Sequence, residues 1–319
     1  MNREPIEFER HYDAGHAHRA AGRLDLARRS FVKALSIDPN SARAALGLGQ
    51  TCYDLGNSDE ALHYLDRAVR AEPGNAEALC YCGRALADAG HMDLALQFLQ
   101  RAIETAPDEF EFKAAAIDVL QGIEFVAENA FYEGFLLDCF DDASVAHDAL
   151  TNVATSLLWM KPVIKEALAA DLLSSSQLSR LANEPLLMQL LSKTIGRSWA
   201  FEQFFIKLRS SLAGQRDPEH LPLLAAVAEQ AFNTGYEQYQ STTEAELERE
   251  LVQRGAASLT PAELMLLASF RALADVPGAA DIVGWQDLPS PADRVIQRTL
   301  REPLRERQIA EQIESLTPI

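Results

Sequence analysis

No stretch of this chain approaches the ~20 consecutive apolar residues that a bilayer-spanning helix needs. Met1 to Arg10 alternate in charge without an apolar run, so no secretory signal is legible either. Cysteine is scarce. Cys52, Cys80, Cys82 and Cys139 stand at irregular spacings, which excludes a disulfide framework and offers no zinc pair. G-x-G-x-x-G, the P-loop, G-x-S-x-G and H-E-x-x-H are all missing. Gly47-Leu48-Gly49 has the spacing of a cofactor loop but sits in a helical run, where close packing explains it. Apolar–polar alternation never persists beyond a few residues, which argues against β-sheet. Basic charge is also short: 29 Lys and Arg face 47 Asp and Glu, for a net charge of −18. Nucleic acid and anionic membrane both need a basic face, so neither is expected as a partner, whereas a basic protein or peptide is compatible. These absences lead us to expect a cytoplasmic all-α protein with no cofactor in these residues.

What the chain does have is a period. Residues 8–41, 42–75 and 76–109 align as three 34-residue copies. Glycine holds the eighth place (Gly15, Gly49, Gly83) and the fifteenth (Gly22, Gly56, Gly90). Alanine holds the twentieth (Ala27, Ala61, Ala95) and the twenty-seventh (Ala34, Ala68, Ala102). Phe31, Leu65 and Leu99 occupy the twenty-fourth, and Pro39, Pro73 and Pro107 the thirty-second. The second glycine ends a first helix and the proline a second, while the small residues let the two approach. One such pair cannot bury its apolar face alone, so neighbours must stack.

This pattern resembles the tetratricopeptide repeat. The resemblance implies a helix-pair solenoid whose first helices line a concave groove. Places two, five, nine and twelve of each repeat would point into it: Glu9, Tyr12, His16 and Arg19; Arg43, Leu46, Gln50 and Tyr53; Glu77, Cys80, Arg84 and Ala87. As binding residues we single out Tyr12, His16, Arg19, Arg43, Gln50, Tyr53 and Arg84, a set suited to an extended protein or peptide segment. The lysine, asparagine and arginine that clamp the C-terminal carboxylate of heat-shock chaperones are not present. Tyr12, His16, Gly47, Glu77 and Tyr81 stand there instead.

Residues 1–7 read as a leader, and residues 110–142 as acidic, aromatic helices that cap the last repeat. Between Asp108 and Asp142 there are ten acids and only Lys113 as a base. Residues 143–319 read as an α-helical connector domain. Its expected helices include Val145 to Met160, Ser198 to Leu212 with Trp199, Phe201, Phe204, Phe205 and Leu208 inside, and Pro222 to Tyr239. Capping boxes are expected at Thr243/Glu246 and Thr260/Glu263, the latter opening Ala262 to Ala274, and a final helix interrupted at Pro303.

The run from Leu221 to Tyr236 resembles a helix of bacterial tetratricopeptide-containing methyltransferases, as do Asn183-Glu184-Pro185-Leu186-Leu187 and the terminal Leu316-Thr317-Pro318-Ile319. That family resemblance implies a substrate-recruiting region ahead of an S-adenosylmethionine-dependent domain that is absent from these residues. Two other readings stand beside it. One is an independent cytoplasmic adaptor or chaperone that binds through the groove. The other is an enzyme with an unrecognised site in the helical half, around His147, Asp148 or Trp199.

Overall fold

The computed structural model describes residues 3–196, 198–285 and 288–316, with side chains for 4–310 of these. Thr317, Pro318 and Ile319 of the terminal run lie outside the described residues, as do Met1 and Asn2. The chain divides into two compact units, Met1–Ile123 and Glu124–Ile319, and no strand occurs among the described residues.

The first unit holds α1 (Arg3–Ala20), α2 (Leu24–Ile37), α3 (Ala42–Asp54), α4 (Ser58–Ala71), α5 (Ala76–Asp88), α6 (Met92–Thr105) and α7 (Phe110–Gln121). Helices pack in the pairs α1/α2, α3/α4 and α5/α6, each pair stacks on the next, and α7 covers α5 and α6. Residues 3–7, expected as a leader, form the opening of α1 instead. Gly22, Gly56 and Gly90 take φ of +69°, +78° and +83°, so a left-handed residue ends each first helix. Place thirty-four of the period does work that the sequence reading overlooked. Ser41 and Asn75 cap α3 and α5 by accepting from Ala44 N–H (3.2 Å) and Ala78 N–H (3.0 Å).

The pairs are clamped at the eighth place. A Cβ at Gly15 would stand 2.7 Å from the Phe31 ring, and one at Gly49 would stand 2.6 Å from Leu65 Cγ. At Gly83 it would meet Leu99 Cγ at 2.6 Å and the Ala95 carbonyl at 2.9 Å. Phe31, Leu65 and Leu99 are fully buried, as is each alanine flanking them at places twenty and twenty-seven.

The second unit holds α8 (Ala130–Asp141), α9 (Thr151–Leu158), α10 (Pro162–Ala169), α11 (Ser175–Ala182), α12 (Pro185–Lys193), α13 (Trp199–Gly214) and α14 (Leu221–Asn233). After these come α15 (Thr242–Arg254), α16 (Pro261–Ala268), α17 (Ser290–Ile296) and α18 (Glu302–Leu316). The hub is α14. It is buried along its length and packed by α11, α12, α13, α16 and α17.

Several sequence expectations need correction here. The helix from Pro222 stops at Asn233 and not Tyr239, because Gly235 and Tyr236 take φ of +65° and +62°. The capping box of α15 is Ser241/Glu244, two places before Thr243/Glu246, while that at Thr260/Glu263 forms as expected. The helix from Pro261 ends at Ala268, short of Ala274. Pro303 does not interrupt the last helix, since a π-helical turn at Gln297–Arg301 precedes it and α18 runs on. Trp199 is 75 % exposed. The buried stripe of α13 is Phe201, Phe204, Phe205, Leu208 and Leu212, a helical series that residue 199 does not share.

Carboxylates inside this unit carry their own cations. Arg209 Nε donates to Glu244 Oε1 at 2.9 Å with both side chains buried, and Glu244 also accepts from Ser241 N–H and Ser210 Oγ. Arg254 donates to Glu263 at 2.7 Å, and Arg294 to Glu229 at 2.9 Å. Arg254, outweighing the opposing effect of burial, holds the Glu263 carboxyl down at about 2. Burial acts to raise Glu244, but Arg209 and the Ser241 and Ser210 donors outweigh it and lower the net value.

Gly83→Ala gains up to about 1 kcal/mol of helix propensity, but overpacking against a fixed carbonyl costs about 1–3 kcal/mol. A lower melting temperature is therefore expected, while Gly134→Ala, whose Cβ meets nothing within 4 Å, should raise it. A Gly83→Ala chain as stable as the parent would show that the helix pair tolerates separation. The acid pairs give a second expectation. Carboxyls lowered on folding stabilise above their ordinary value near 4.5 and lose that contribution as pH falls through the folded value. The melting midpoint should drop between pH 4.5 and about 2, and less steeply in Glu263→Gln. Parallel curves for parent and variant would remove Glu263 from the account.

Candidate functional site

The first helices α1, α3, α5 and α7 are successive neighbours and form the inner wall of the first unit. The residues singled out from the sequence converge there in two clusters. In the first, Arg43 Nη2 donates to Glu9 Oε1 at 2.7 Å and its guanidinium lies 4.7 Å from the Tyr12 ring centroid. Tyr12 meets His16 edge-on at 4.6 Å, and both rings pack on Phe31. His16 is held below its ordinary range, first by desolvation and then by Arg19.

In the second cluster Arg19 is a strut. It donates to Asp54 Oδ2 at 2.7 Å, to Gln50 Oε1 at 2.8 Å and to Tyr81 Oη at 2.7 Å. These bonds join α1 to α3 and α5. Gln50 then donates to Glu77 Oε1 at 2.6 Å, and at 1 % exposure it is part of the wall and not of its surface. Cys80, also placed in the groove by the repeat pattern, is buried. Burial pushes the thiols of Cys80 and Cys82 up to about 12 and that of Cys52 up to about 11, so they stay protonated and unreactive.

Arg84 differs from the other two arginines. Its guanidinium lies 5.1 Å from the Tyr53 ring centroid and 5.6 Å from that of Tyr81, and no carboxylate pairs with it among the described residues. The two rings meet edge-on at 5.7 Å, and burial keeps both phenols protonated. Arg84 and Tyr53 border a cavity of about 260 Å³ between α5 and α7, lined also by Met92, Ala115 and Val119 and by two carboxylates, Asp88 and Asp118, neither of which forms an ion pair with Arg84.

Sequence reasoning missed Tyr81 and Asp54 as members of this network. Spacing along the helices carried the signal. Tyr81 precedes Arg84 by three places and Asp54 follows Gln50 by four, so each shares a helix face with a residue already chosen.

Of the residues proposed for a catalytic centre in the helical half, His147 and Asp148 have structural partners. A ring nitrogen of His147 hydrogen-bonds the Asp142 carbonyl at 3.1 Å, Asp148 accepts from Ile195 N–H at 3.0 Å, and Trp199 faces solvent. The structure reveals a different grouping. Ser175 Oγ lies 3.0 Å from Glu219 Oε1 and 3.1 Å from Nε2 of the fully buried His220. Nδ1 of His220 has no partner. A bare buried lone pair is tolerated better than an orphaned N–H, so we assign the proton to Nε2, which donates to Ser175 while Ser175 donates to Glu219. That tautomer cannot take the serine proton, so Ser175 is not an activated nucleophile. Among the described residues no group of three or more His, Cys, Asp or Glu could hold a metal ion. No described helix is long and apolar enough to cross a membrane.

Two family models, each described as tetratricopeptide repeat, match residues 18–73 and 53–110. The repeats of the first unit are therefore tetratricopeptide repeats. Among similar solved structures is the second repeat domain of human RPAP3 in complex with an HSP70 peptide. It is 14 % identical and covers 36 % of this chain and 97 % of that one at a TM-score of 0.35. A crystal structure of MamA is 21 % identical over 62 % of this chain and 93 % of that one, with a TM-score of 0.33. A variant of the O-GlcNAc transferase of Thermobaculum terrenum is 17 % identical over 84 % of this chain and 49 % of that one, with a TM-score of 0.41. No curated protein matches the chain.

Arg19→Ala removes three hydrogen bonds from partly buried groups and should cost about 1–3 kcal/mol of stability. Arg84→Ala removes ring contacts and one hydrogen bond to Tyr53 and should cost less, about 1 kcal/mol. Urea denaturation of both variants checks the order, and a reversal would mean that Arg84, not Arg19, holds the wall.

Proposed function

We propose that the inner wall of the repeats binds an extended segment of a partner protein, with Arg84 as its anchor. The observation that carries this reading is Arg84 itself. It is a partly buried cation between two tyrosines, beside a cavity, and among the described residues it lacks the ion pair that Arg19 and Arg43 each possess. An acidic side chain of the ligand pairs with it, and a neighbouring aliphatic side chain fills the cavity. Tyr12, His16 and Arg43 extend the contact along α1 and α3. Arg19 and Gln50 act from behind by fixing the wall.

The wider setting we propose is recruitment of a substrate for an S-adenosylmethionine-dependent methyltransferase, supported by the resemblance of Leu221 to Tyr236 and its flanks. A cytoplasmic adaptor working through the same groove is the second reading. The four cysteines, all free and buried, support a reducing compartment for either.

Selection of a random peptide library on the full chain tests the groove. Peptides carrying Asp or Glu beside an aliphatic residue should be enriched. They should bind Arg84→Ala about tenfold or more weakly, the loss expected for one charge-assisted pair, while its melting temperature is retained. Peptides that bind the parent, Arg84→Ala and Tyr53→Ala equally would sink the reading. A coding sequence that ends at Ile319 would leave the adaptor and remove the methyltransferase.

A further inference from the structure

The period of the repeats does not stop at α6. Counted on from residues 76–109, α7 opens a further copy, with Glu111 at place two and Asp118 at place nine. Place two is that of Glu9, Arg43 and Glu77, and place nine that of His16, Gln50 and Arg84. α7 packs on α5 and α6 as each earlier first helix packs on the pair before it, and Asp118 lines the same cavity as Arg84. We propose that the Arg84 site takes a segment of mixed charge: an acidic residue on Arg84, an aliphatic residue in the cavity, and a lysine or arginine a few residues away that pairs with Asp118 and Glu111. This partner chemistry rests on Arg84 being the ligand's anchor and adds a basic component to it.

The groove acids differ in what holds them. Glu9 pairs with Arg43 at 2.7 Å, and Glu77 accepts from Gln50 at 2.6 Å. Glu111 and Asp118 have no ion pair and no side-chain hydrogen bond among the described residues. Both lie on one face of α7. Glu111, Ala115, Asp118 and Gly122 follow one another at intervals of four, three and four, and the last three line the cavity. Glu111 acts to raise the Cys80 thiol of α5, as a carboxylate turned toward that helix does. Lys113, the one base of α7, stands on the opposite side of the helix from Glu111. Arg84 is the one cation that lines the cavity, against the carboxylates of Asp88 and Asp118. Asp88 accepts from Ser58 Oγ at 3.4 Å and from the Tyr53 phenol, both neutral donors, so its charge is not cancelled.

The cavity's own surplus of negative charge decides among ligands. A purely acidic segment gains Arg84 but meets Asp88, Asp118 and Glu111, and like charges set against one another cost affinity. A phosphate group brings still more negative charge to a site that is already negative. A purely basic segment gains the carboxylates and leaves Arg84 without a counterion. A segment with one acid and a nearby base satisfies Arg84 and the carboxylates together. Met92, Ala115 and Val119 then cover the aliphatic residue beside them. The net charge of −18 on the chain attracts the basic part at long range.

The probe is a displayed library of random dodecapeptides selected on the full chain, with affinities of the enriched peptides read by fluorescence anisotropy. Enriched peptides should carry Lys or Arg a few residues from the acid. Glu111→Gln combined with Asp118→Asn, its melting temperature retained, should weaken their binding about two- to fivefold, the range of solvent-exposed charge pairs. Exchange of charge supplies a readout that a structural role does not move. Replacing the peptide's base by glutamate should weaken binding to the parent and restore it on Asp118→Lys. Peptides that carry the acid, lose affinity on Arg84→Ala and ignore both the combined variant and the exchange would overturn the basic component while leaving the anchor. Enrichment of basic residues without an acid would overturn the mixed-charge ligand by removing the role of Arg84. Indifference to Arg84→Ala, or no enrichment at all, would overturn the anchor and the basic component with it.

Discussion

The repeat unit rests on one steric condition, that a large side chain from each second helix lies against a bare backbone on its first. Phe31, Leu65 and Leu99 fill the space left by Gly15, Gly49 and Gly83, and a Cβ at any of the three would come within 2.7 Å of them. The approach fixes each helix pair. The left-handed glycines at the end of each first helix then set the reversal, and the place-thirty-four caps of α3 and α5 set where each next pair begins. The inner wall is a consequence. Tyr12 and His16 stack on the outer edge of the same Phe31 that packs against Gly15. The surface that meets a ligand is therefore positioned by the core contact beneath it.

That coupling explains why so much of the first unit could be read from sequence. The constraints on Gly15, Gly22, Ala27, Phe31 and Pro39 are local and repeat identically, so three copies expose them. What could not be read was the division of labour among the inner polar residues. Arg19, Arg43 and Arg84 are of one residue type and stand in one repeat pattern. Only the partners separate them: Asp54, Gln50 and Tyr81 for Arg19, Glu9 for Arg43, and two phenol rings for Arg84. The partners of Arg19 lie 31 to 62 residues away, and no periodicity reports such distances.

The second unit shows the opposite balance. Its helices were legible where proline or a capping box marked an end, as at Pro162, Pro185 and Thr260/Glu263. They were misread where a tertiary demand decided the matter. Ser241 displaces Thr243 as the cap of α15 because Glu244, the partner in that box, is also the buried counterion of Arg209. Trp199 reads as core from its apolar neighbours in sequence, yet it stands off the stripe that α13 turns inward. The run from Leu221, which carries the family resemblance, is the central helix of the unit, buried from Leu223 to Ala231. Its apolar composition follows from that central position whatever the protein does.

The candidate site on the inner wall follows from a single rule. A partly buried charge costs free energy unless it finds a counterion. Within this chain Arg19, Glu229, Glu244 and Glu263 obey the rule with partners of their own. Arg84 has no carboxylate partner among the described residues, and it borders a cavity. Solubility does not account for this pattern, because charges that serve only solubility belong on convex, fully hydrated surface. Arg67, Lys207 and Arg298, also half-buried without a carboxylate, are instead satisfied by carbonyl or amide oxygens, whereas Arg84 faces two phenol rings beside a cavity and is best explained by a counterion that arrives from outside.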